Sequence, residues 1–228
     1  MPFFLYNLTM IFNAHVHLNS DNTPINAGFY NATNESEWPL VLQIYNPKKQ
    51  IIPTIGIHPW QINSVSEDWA EKMAELLGKY PFLQVGEIGL DTLKPDLQKQ
   101  EDLFIKQLLL AKKFNRIAMI HNVRSSEKIY QIMRKFYFPL PFILHNYHEK
   151  EAMTKKFNQI NAYFSIGKNF SATQIKTIPL NRLLLETDMA DSSLLEEKAH
   201  FVANTLGISV EQLKKQLTSN IKDLLNVR

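Results

Sequence analysis

The feature that most constrains the fold of this chain is a repeated alternation of short apolar runs with segments of helical spacing. Most of the runs are continuously apolar, which is typical of parallel strands covered by helices. Eight strands are predicted, at Ile11–His15, Gly28–Thr33, Ile51–Ile57, Phe82–Glu87, Ile117–His121, Phe142–His145, Ala162–Ile166 and Leu183–Glu186. Helices are predicted at Glu67–Leu77, Gln98–Phe114 and Ser125–Phe136, and consecutively at Leu194–Leu206, Val210–Leu217 and Asn220–Val227.

This order of elements favours a barrel. Eight strands alternating with helices in 228 residues predict one α/β domain over residues 1–228, a (β/α)₈ barrel of the TIM type. The polar stretch from Asn19 to Ala27 is too short for a full covering helix. We therefore expect a compact, distorted barrel with a reduced first connection. An open doubly wound sheet is the alternative, because strand count and spacing are compatible with both.

Composition excludes several classes of protein. The chain has no cysteine, which excludes disulfides, thiolate metal sites and a cysteine nucleophile, and which fits a cytoplasmic location. No apolar run approaches the roughly 20 residues of a membrane span. The first basic residue is Lys48, so the N-terminus does not resemble a secretory signal, and Met10 is an alternative start to Met1. A net charge of +3 is too small to indicate nucleic-acid binding by itself.

Histidines and carboxylates are concentrated where the predicted strands end. His15 and His17 flank the end of the first strand, and their spacing puts both side chains on one side of an extended chain. The other strand-end residues of this kind are His58, Glu87, His121, His145 and Asp188. Five of the seven histidines thus lie at C-terminal strand ends, which in a barrel converge on the face where active sites form.

Imidazoles and carboxylates from several strands suit first-row divalent metal ions, and their number favours two ions. One strand-end histidine alone predicts little, because such residues are usually hydrogen-bonded in the core or a loop. A whole set is hard to explain as packing, since unpartnered buried imidazoles and carboxylates are costly. The imidazoles favour zinc or manganese over magnesium, and the identity of the metal stays open.

Other polar residues near this face are less informative. Arg124 follows His121 by three residues, and its guanidinium could clamp a phosphate or form a salt bridge at the rim. Lys94 is a weaker candidate of the same kind. Glu186 precedes Asp188 by two residues and either supports the metal ligands or caps the barrel interior.

Taken in order, these segments resemble the TatD-type metal-dependent deoxyribonucleases of the amidohydrolase superfamily. Single motifs such as His-x-His are weak, but the ordered set is specific and spans almost the whole chain. The matching segments are Asn13-Ala-His15-Val-His17, Gly56-Ile-His58-Pro-Trp60, Gly86-Glu87-Ile-Gly-Leu-Asp91, Ile120-His121-Asn-Val-Arg124, His145 and Leu185-Glu-Thr-Asp188, with Gln100 to Phe104 and Asn220.

The resemblance implies a role for each matching residue. His15, His17 and Asp188 would hold one divalent ion. His121 and His145 would hold a second, and Glu87 would bridge the two. His58 would lie behind the ligands or contact the substrate, and Arg124 and Asp91 would support the site.

The chain departs from the family pattern near the expected pocket rim. Asn13 replaces the usual Asp, and Asn146, Tyr147 and His148 replace small residues. Met189 and Ala190 stand where the family has Ala-Pro. These changes bear on substrate preference more than on metal binding.

The implied function is hydrolysis of phosphodiester bonds, with DNA ends trimmed in the 3′ to 5′ direction by a hydroxide that two metal ions activate. Asp188 would also orient or deprotonate the water, and Glu87, Arg124 and His58 would complete the catalytic set. We expect a monomer that acts on single-stranded DNA ends and does not associate with membranes.

Two alternatives remain open. The same metal core could serve an amidohydrolase-type enzyme acting on a small ester, amide or phosphoester, because one fold supports many reactions. The chain could also be a catalytically degenerate metal-binding barrel. The complete set of candidate ligands argues against this second alternative.

Overall fold

Eight strands form one sheet, in which each strand pairs in parallel with the next along the chain. The computed structural model describes residues 10–19, 24, 26–168, 170–188 and 193–226. All eight predicted strands are present. Their bounds are β1 Asn13–Val16, β2 Gly28–Asn31, β3 Ile51–Ile55, β4 Gln84–Asp91, β5 Ala118–Val123, β6 Phe142–Leu144, β7 Ala162–Ile166 and β8 Leu183–Leu185.

The sheet curls into a nearly closed barrel. Val16, the last residue of β1, forms a parallel bridge with Asp188, which lies just beyond β8. The first and last strands are therefore neighbours. This closure confirms the barrel and excludes the open doubly wound sheet.

Eight α-helices lie among the described residues. They are α1 Trp38–Gln43, α2 Trp69–Lys79, α3 Leu97–Phe114, α4 Ser126–Lys135, α5 Glu151–Asn158, α6 Ala172–Thr177, α7 Ser193–Leu206 and α8 Val210–Asn226. Three short helices, α1, α5 and α6, were not predicted, because six to eight residues carry too few apolar repeats to show a period.

One helix prediction was wrong. The segments Val210–Leu217 and Asn220–Val227, expected as consecutive helices, form the single helix α8 over its described length. Thr218 does not interrupt it, because its hydroxyl donates to the Lys214 carbonyl one turn back, at 2.9 Å.

The first connection contains no helix in its described part, residues 17–19, 24 and 26–27. Residues 20–23 and 25 lie outside the described residues. So do residues 1–9, which bear on the alternative starts, and Met189 and Ala190, which were expected at the rim.

Helix α8 covers the end of the barrel where the strands begin. Its apolar residues Ile221, Leu224 and Leu225 belong to one buried cluster with inward-facing strand residues such as Phe29. The Asn220 amide donates to the carbonyls of Leu180 and Leu183 just before and within β8, at 2.8 and 2.7 Å. The barrel is thus closed by packed side chains at this end and left open at the carboxyl ends of its strands.

The second core layer lies between the sheet and the helices around it. Buried residues from α2 to α7 pack there against outward-facing strand residues, including Met73, Phe104, Ile129, Phe157 and Val202. Among the described residues, none of the helices combines the length and apolar character needed to cross a membrane.

Candidate metal centre

Glu87 lies at the centre of the site, buried in strand β4, and its two carboxylate oxygens face different groups of histidines. Oε2 is 3.2 Å from Nε2 of both His15 and His17. Oε1 is 2.7 Å from Nδ1 of His121 and 3.1 Å from Nε2 of His145. One carboxylate therefore separates two sets of nitrogen donors.

The first set of donors is completed by Asp188. Its Oδ1 lies 3.8 Å from Nε2 of His15 and 3.6 Å from Nε2 of His17, and these two nitrogens are 3.2 Å apart. Donors bound to one ion at about 2.1 Å are roughly 3.0–3.4 Å from one another. The two imidazole nitrogens therefore fit a shared divalent ion, and Asp188 would complete the set by moving only a few tenths of an ångström closer.

The second set comes from β5 and the end of β6. Nδ1 of His121 and Nε2 of His145 are 3.3 Å apart, and both lie close to Oε1 of Glu87. Gly89 lets β4 approach β5 here, because any Cβ at this position would collide with the His121 carbonyl. The donor spacing again fits a divalent ion.

Neighbouring groups orient two of the imidazoles so that Nε2 faces the other donors. Nδ1 of His17 lies 2.8 Å from the Asn31 carbonyl oxygen, and Nδ1 of His145 lies 3.0 Å from the Glu186 carboxylate. An Nδ1–H donated to these acceptors leaves the Nε2 lone pair free to ligate a metal. Glu186 therefore supports a candidate ligand, one of the two roles considered for it.

His58 reaches the same carboxylate but is oriented differently. Its Nε2 is 3.4 Å from Oε1 of Glu87 and 3.1 Å from Nδ1 of His121. Its Nδ1 accepts the backbone N–H of Trp60 at 3.1 Å, so the neutral ring carries its proton on Nε2. Burial lowers the pKa of His58 and favours that neutral form. His58 thus points an N–H donor into the site, although its distances alone would also suit a metal ligand.

The charges of the cluster stabilise one another. Burial opposes ionisation of Glu87, but the surrounding imidazoles, His145 foremost, hold the pKa of Glu87 well below its usual range. Burial also opposes protonation of His145, yet Glu87 and Glu186 raise the pKa of His145 well above its ordinary value. The desolvation of Asp188 is likewise outweighed by nearby histidines, which lower the pKa of that carboxyl. The site therefore holds anionic ligands ready for cations.

Asn13 in β1 is hydrogen-bonded to Thr187, which follows β8, and so joins the first and last strands next to His15 and Asp188. Its amide nitrogen donates to the Thr187 hydroxyl at 2.8 Å, and its amide oxygen accepts the Thr187 N–H at 3.1 Å. Asp188 N–H then donates to the His15 carbonyl at 3.0 Å. Asn13 uses both its donor and its acceptor, so this departure from the family pattern still holds His15 beside Asp188.

Two buried glutamines of α3 hold the strand ends from outside. Gln107 accepts the Ile57 N–H at 2.6 Å and donates to the Ile57 carbonyl at 3.2 Å, immediately before His58. Gln100 binds the N–H and carbonyl of Asp91 in the same way, at 2.9 and 3.1 Å. These amides satisfy backbone groups that the sheet leaves unpaired.

A cavity of about 360 Å³ opens above the donors. Its walls include His17, His58, Trp60, His121, Asn146 and His148. Tyr147, expected at the rim, is instead buried and packs on Phe164 with ring centroids 4.7 Å apart. Asn146 has a φ of 45°, and the turn at this residue carries the next side chain inward.

One cation beside the candidate donors was not predicted from the sequence. Lys168 Nζ lies 3.2 Å from Oδ2 of Asp188. Arg124 is exposed and is not among the described residues that line the cavity, so its phosphate-binding role stays a prediction. The sequence places Lys168 two residues after the end of β7, but its contact with Asp188 depends on how the two loops fold.

The fold and the donor set define a class of protein, the parallel barrels that hold divalent metal ions where their strands end. A family model described as TatD related DNase matches residues 12–226. The chain belongs to this family, which confirms the resemblance drawn from the motifs, and its relatives include metal-dependent hydrolases.

Three comparisons illustrate the relationship. The uncharacterized metal-dependent hydrolase YjjV of Escherichia coli K12 is 26% identical over 174 residues, covering 72% of this chain and 67% of YjjV. The crystal structure of YjjV matches 97% of this chain and all of its own, with a TM-score of 0.84 and 20% identity. The human 3′-5′ RNA nuclease TATDN2 is 26% identical over 147 residues, covering 58% of this chain and 19% of TATDN2.

Proposed function

We propose that this protein hydrolyses phosphodiester bonds at the 3′ ends of single-stranded DNA, with two divalent metal ions held on either side of Glu87. The observation that carries the proposal is the division of the Glu87 oxygens between two sets of nitrogens. In this proposal His15, His17 and Asp188 hold one ion, and His121 and His145 hold the other. The preference of imidazole for softer cations supports zinc or manganese.

When bound, such ions supply a nucleophilic water at neutral pH and positive charge for the phosphoryl oxygens. The chain's own groups have separate tasks. Asp188 directs Oδ1 toward the donors, where it can orient the water and accept its proton. The Nε2–H of His58 points into the cavity, where it can bind a phosphoryl oxygen as negative charge develops. Lys168 pairs with Oδ2 of Asp188 and so helps to hold that carboxylate in place.

The choice of substrate rests on the family and on the cavity. The family description and the name of TATDN2 both concern nucleic-acid cleavage, and TATDN2 is named for the 3′-5′ direction. The cavity opens at the exposed Trp60, so an unpaired strand end can enter without prior separation of a duplex. The absence of cysteine fits the reducing conditions of the cytoplasm, which is the location we propose. We propose a monomer because a single barrel domain of this kind can contain the whole site.

The direct test uses single-stranded DNA labelled at its 5′ end and protein first treated with chelator. Added Mn²⁺, Zn²⁺ or Mg²⁺ is expected to produce a ladder that shortens from the 3′ end. Glu87→Gln and Asp188→Asn should each lower the rate by more than about 10³-fold, because they remove charge from the donor sets. Asp102→Asn, which neutralises an exposed carboxylate of α3, is the matched control.

Activity that is unchanged in Glu87→Gln would overturn the assignment of the site. No cleavage with any metal would overturn the nuclease proposal. A cavity of about 360 Å³ also suits a small molecule, which keeps an amidohydrolase-type reaction on a small ester, amide or phosphoester as the second candidate. Hydrolysis of bis(p-nitrophenyl) phosphate without DNA cleavage would favour it, and metal binding without either activity would indicate a degenerate barrel.

A further inference from the structure

Trp60 is an exposed aromatic side chain fixed at the mouth of the metal centre. Its residue is 57% exposed, whereas Trp38 and Trp69 are 3% and 5% exposed. It lines the cavity that contains Glu87 and His121. Leaving most of an indole in water forfeits favourable burial, so the position of this side chain calls for an explanation.

The indole is held in place by two contacts. Its Nε1–H donates to Oδ2 of Asp91 at 2.6 Å, and Asp91 is itself only 2% exposed. Lys94 Nζ lies 4.4 Å from the ring centroid, within the range of a cation–π contact. A ring anchored through its N–H and supported by a cation is preorganised, so binding an aromatic partner costs little side-chain entropy.

The ring is also close to the proposed position of the phosphate. Its centroid is 5.2 Å from that of His58 and 6.2 Å from that of His121. A nucleobase is joined to its phosphate through a single sugar. A phosphate held beside His58 and His121 therefore brings its own base within reach of Trp60.

Building on the proposed function, we propose that Trp60 is the stacking platform for the nucleobase of the terminal nucleotide. Stacking on an aromatic face depends little on which base is present, because every base has a π face. The site then selects an unpaired nucleotide without reading its sequence. Lys94 lies over one face of the ring, so the base would stack on the opposite face, and the ammonium adds a positive charge near the flanking backbone.

The test compares thymidine 5′-monophosphate with 2-deoxyribose 5-phosphate, which has a hydroxyl in place of the base, in the presence of Mn²⁺. Binding to the wild type is followed by tryptophan fluorescence excited at about 295 nm. Trp60 is the exposed indole, and so the one that a bound ligand can quench. We expect the nucleotide to quench fluorescence and to bind roughly 5- to 100-fold more tightly than the sugar phosphate. Calorimetry measures the same affinities in the variants, which lack the reporter indole. Trp60→Ala should bind the two ligands equally tightly, and Trp60→Phe should retain part of the difference in affinity.

Tyr137→Ala is the matched control. Tyr137 is 74% exposed and has Lys112 Nζ 5.5 Å from its ring centroid, but it precedes β6 and so lies at the opposite end of the barrel. This variant should keep the full difference between the ligands. Equal binding of the two ligands by the wild type, or a difference that survives in Trp60→Ala, overturns the inference.

The outcome is separable from that of the proposed function. DNA cleavage by the wild type together with equal binding of the two ligands would reject only the stacking platform. A base-dependent difference that vanishes in Trp60→Ala, without DNA cleavage, would support the platform and reject the nuclease.

Discussion

The carboxylate of Glu186 lies directly behind the imidazole of His145, with Oε1 3.0 Å from Nδ1. The same oxygen accepts the backbone N–H of Asn146 at 3.0 Å, and Glu186 has no solvent exposure. The carboxylate is therefore held rigidly while it orients the ring. A ligand held in this way binds a metal with less loss of rotational freedom and with greater basicity.

Substitutions at Glu186 should weaken metal binding at the second set of donors. We expect Glu186→Gln to reduce affinity about 10-fold and Glu186→Leu about 100-fold, since the amide can still accept the Nδ1–H and leucine cannot. Isothermal titration of chelator-treated protein with Zn²⁺ measures this. Glu196→Gln, at an exposed ion pair with Lys214, should titrate as the wild type does. Equal affinities across the series would show that Glu186 does not orient the ligand.

Removing the His58 ring should lower activity without lowering the amount of bound metal. Its Nδ1 already accepts the Trp60 N–H, so His58→Leu removes an N–H donor and not a ligand. We expect about a 10²- to 10⁴-fold loss in turnover. Elemental analysis after dialysis should give the wild-type ratio of metal to protein. A loss of one metal equivalent would instead place His58 among the ligands.

Metal binding should release protons near neutral pH. In the metal-free protein, burial disfavours the charged form of His145, but Glu87 and Glu186 raise its pKa well above the ordinary value. The proton on Nε2 must leave before that nitrogen can bind the metal. At pH values below that pKa, the metal affinity should therefore increase about tenfold for each unit that the pH is raised, for each proton released. Titrations in buffers of different ionisation enthalpy count the protons. Affinity independent of pH between about 6 and 8 would contradict this expectation.

Gln107 should be required for stability although it contacts no candidate ligand. Gln107→Leu keeps the volume but leaves the N–H and carbonyl of Ile57 buried without their partners. We expect the free energy of unfolding in urea to fall by about 2–4 kcal/mol. Gln98→Leu, at an exposed position of the same helix, should change it little. A Gln107→Leu protein as stable as the wild type would mean that Ile57 finds other partners.

The sequence was sufficient to predict which candidate donors come together, because a parallel barrel brings every carboxyl strand end to one face. Each strand-end residue, such as Glu87 or His145, needed only the position of its own strand. The apolar runs mark those positions well. Strand order followed from the regular alternation with helices, whereas closure of the barrel is shown by the bridge between Val16 and Asp188.

The features that were missed depend on loop conformation. The tautomer of His58 is set by the Trp60 N–H in the turn that follows β3. The contact between Lys168 and Asp188 joins two loops 20 residues apart, and the burial of Tyr147 follows the turn at Asn146. Loops carry no period, so their side-chain directions depend on contacts made only in the folded chain.

The hydrogen bonds between Asn13 and Thr187 bear on the order in which the strands of the barrel assemble. These residues are 174 apart along the chain, and closing so long a loop is entropically slow. We expect the contact between His15 and Asp188 to form late, because the strands between them each pair with a neighbour that is much closer in sequence. We therefore expect zinc uptake during refolding to follow the slowest kinetic phase, as stopped-flow measurement with a zinc indicator can determine. Capture of the metal would then mark the completion of the barrel and would lock together the two elements that are last to meet.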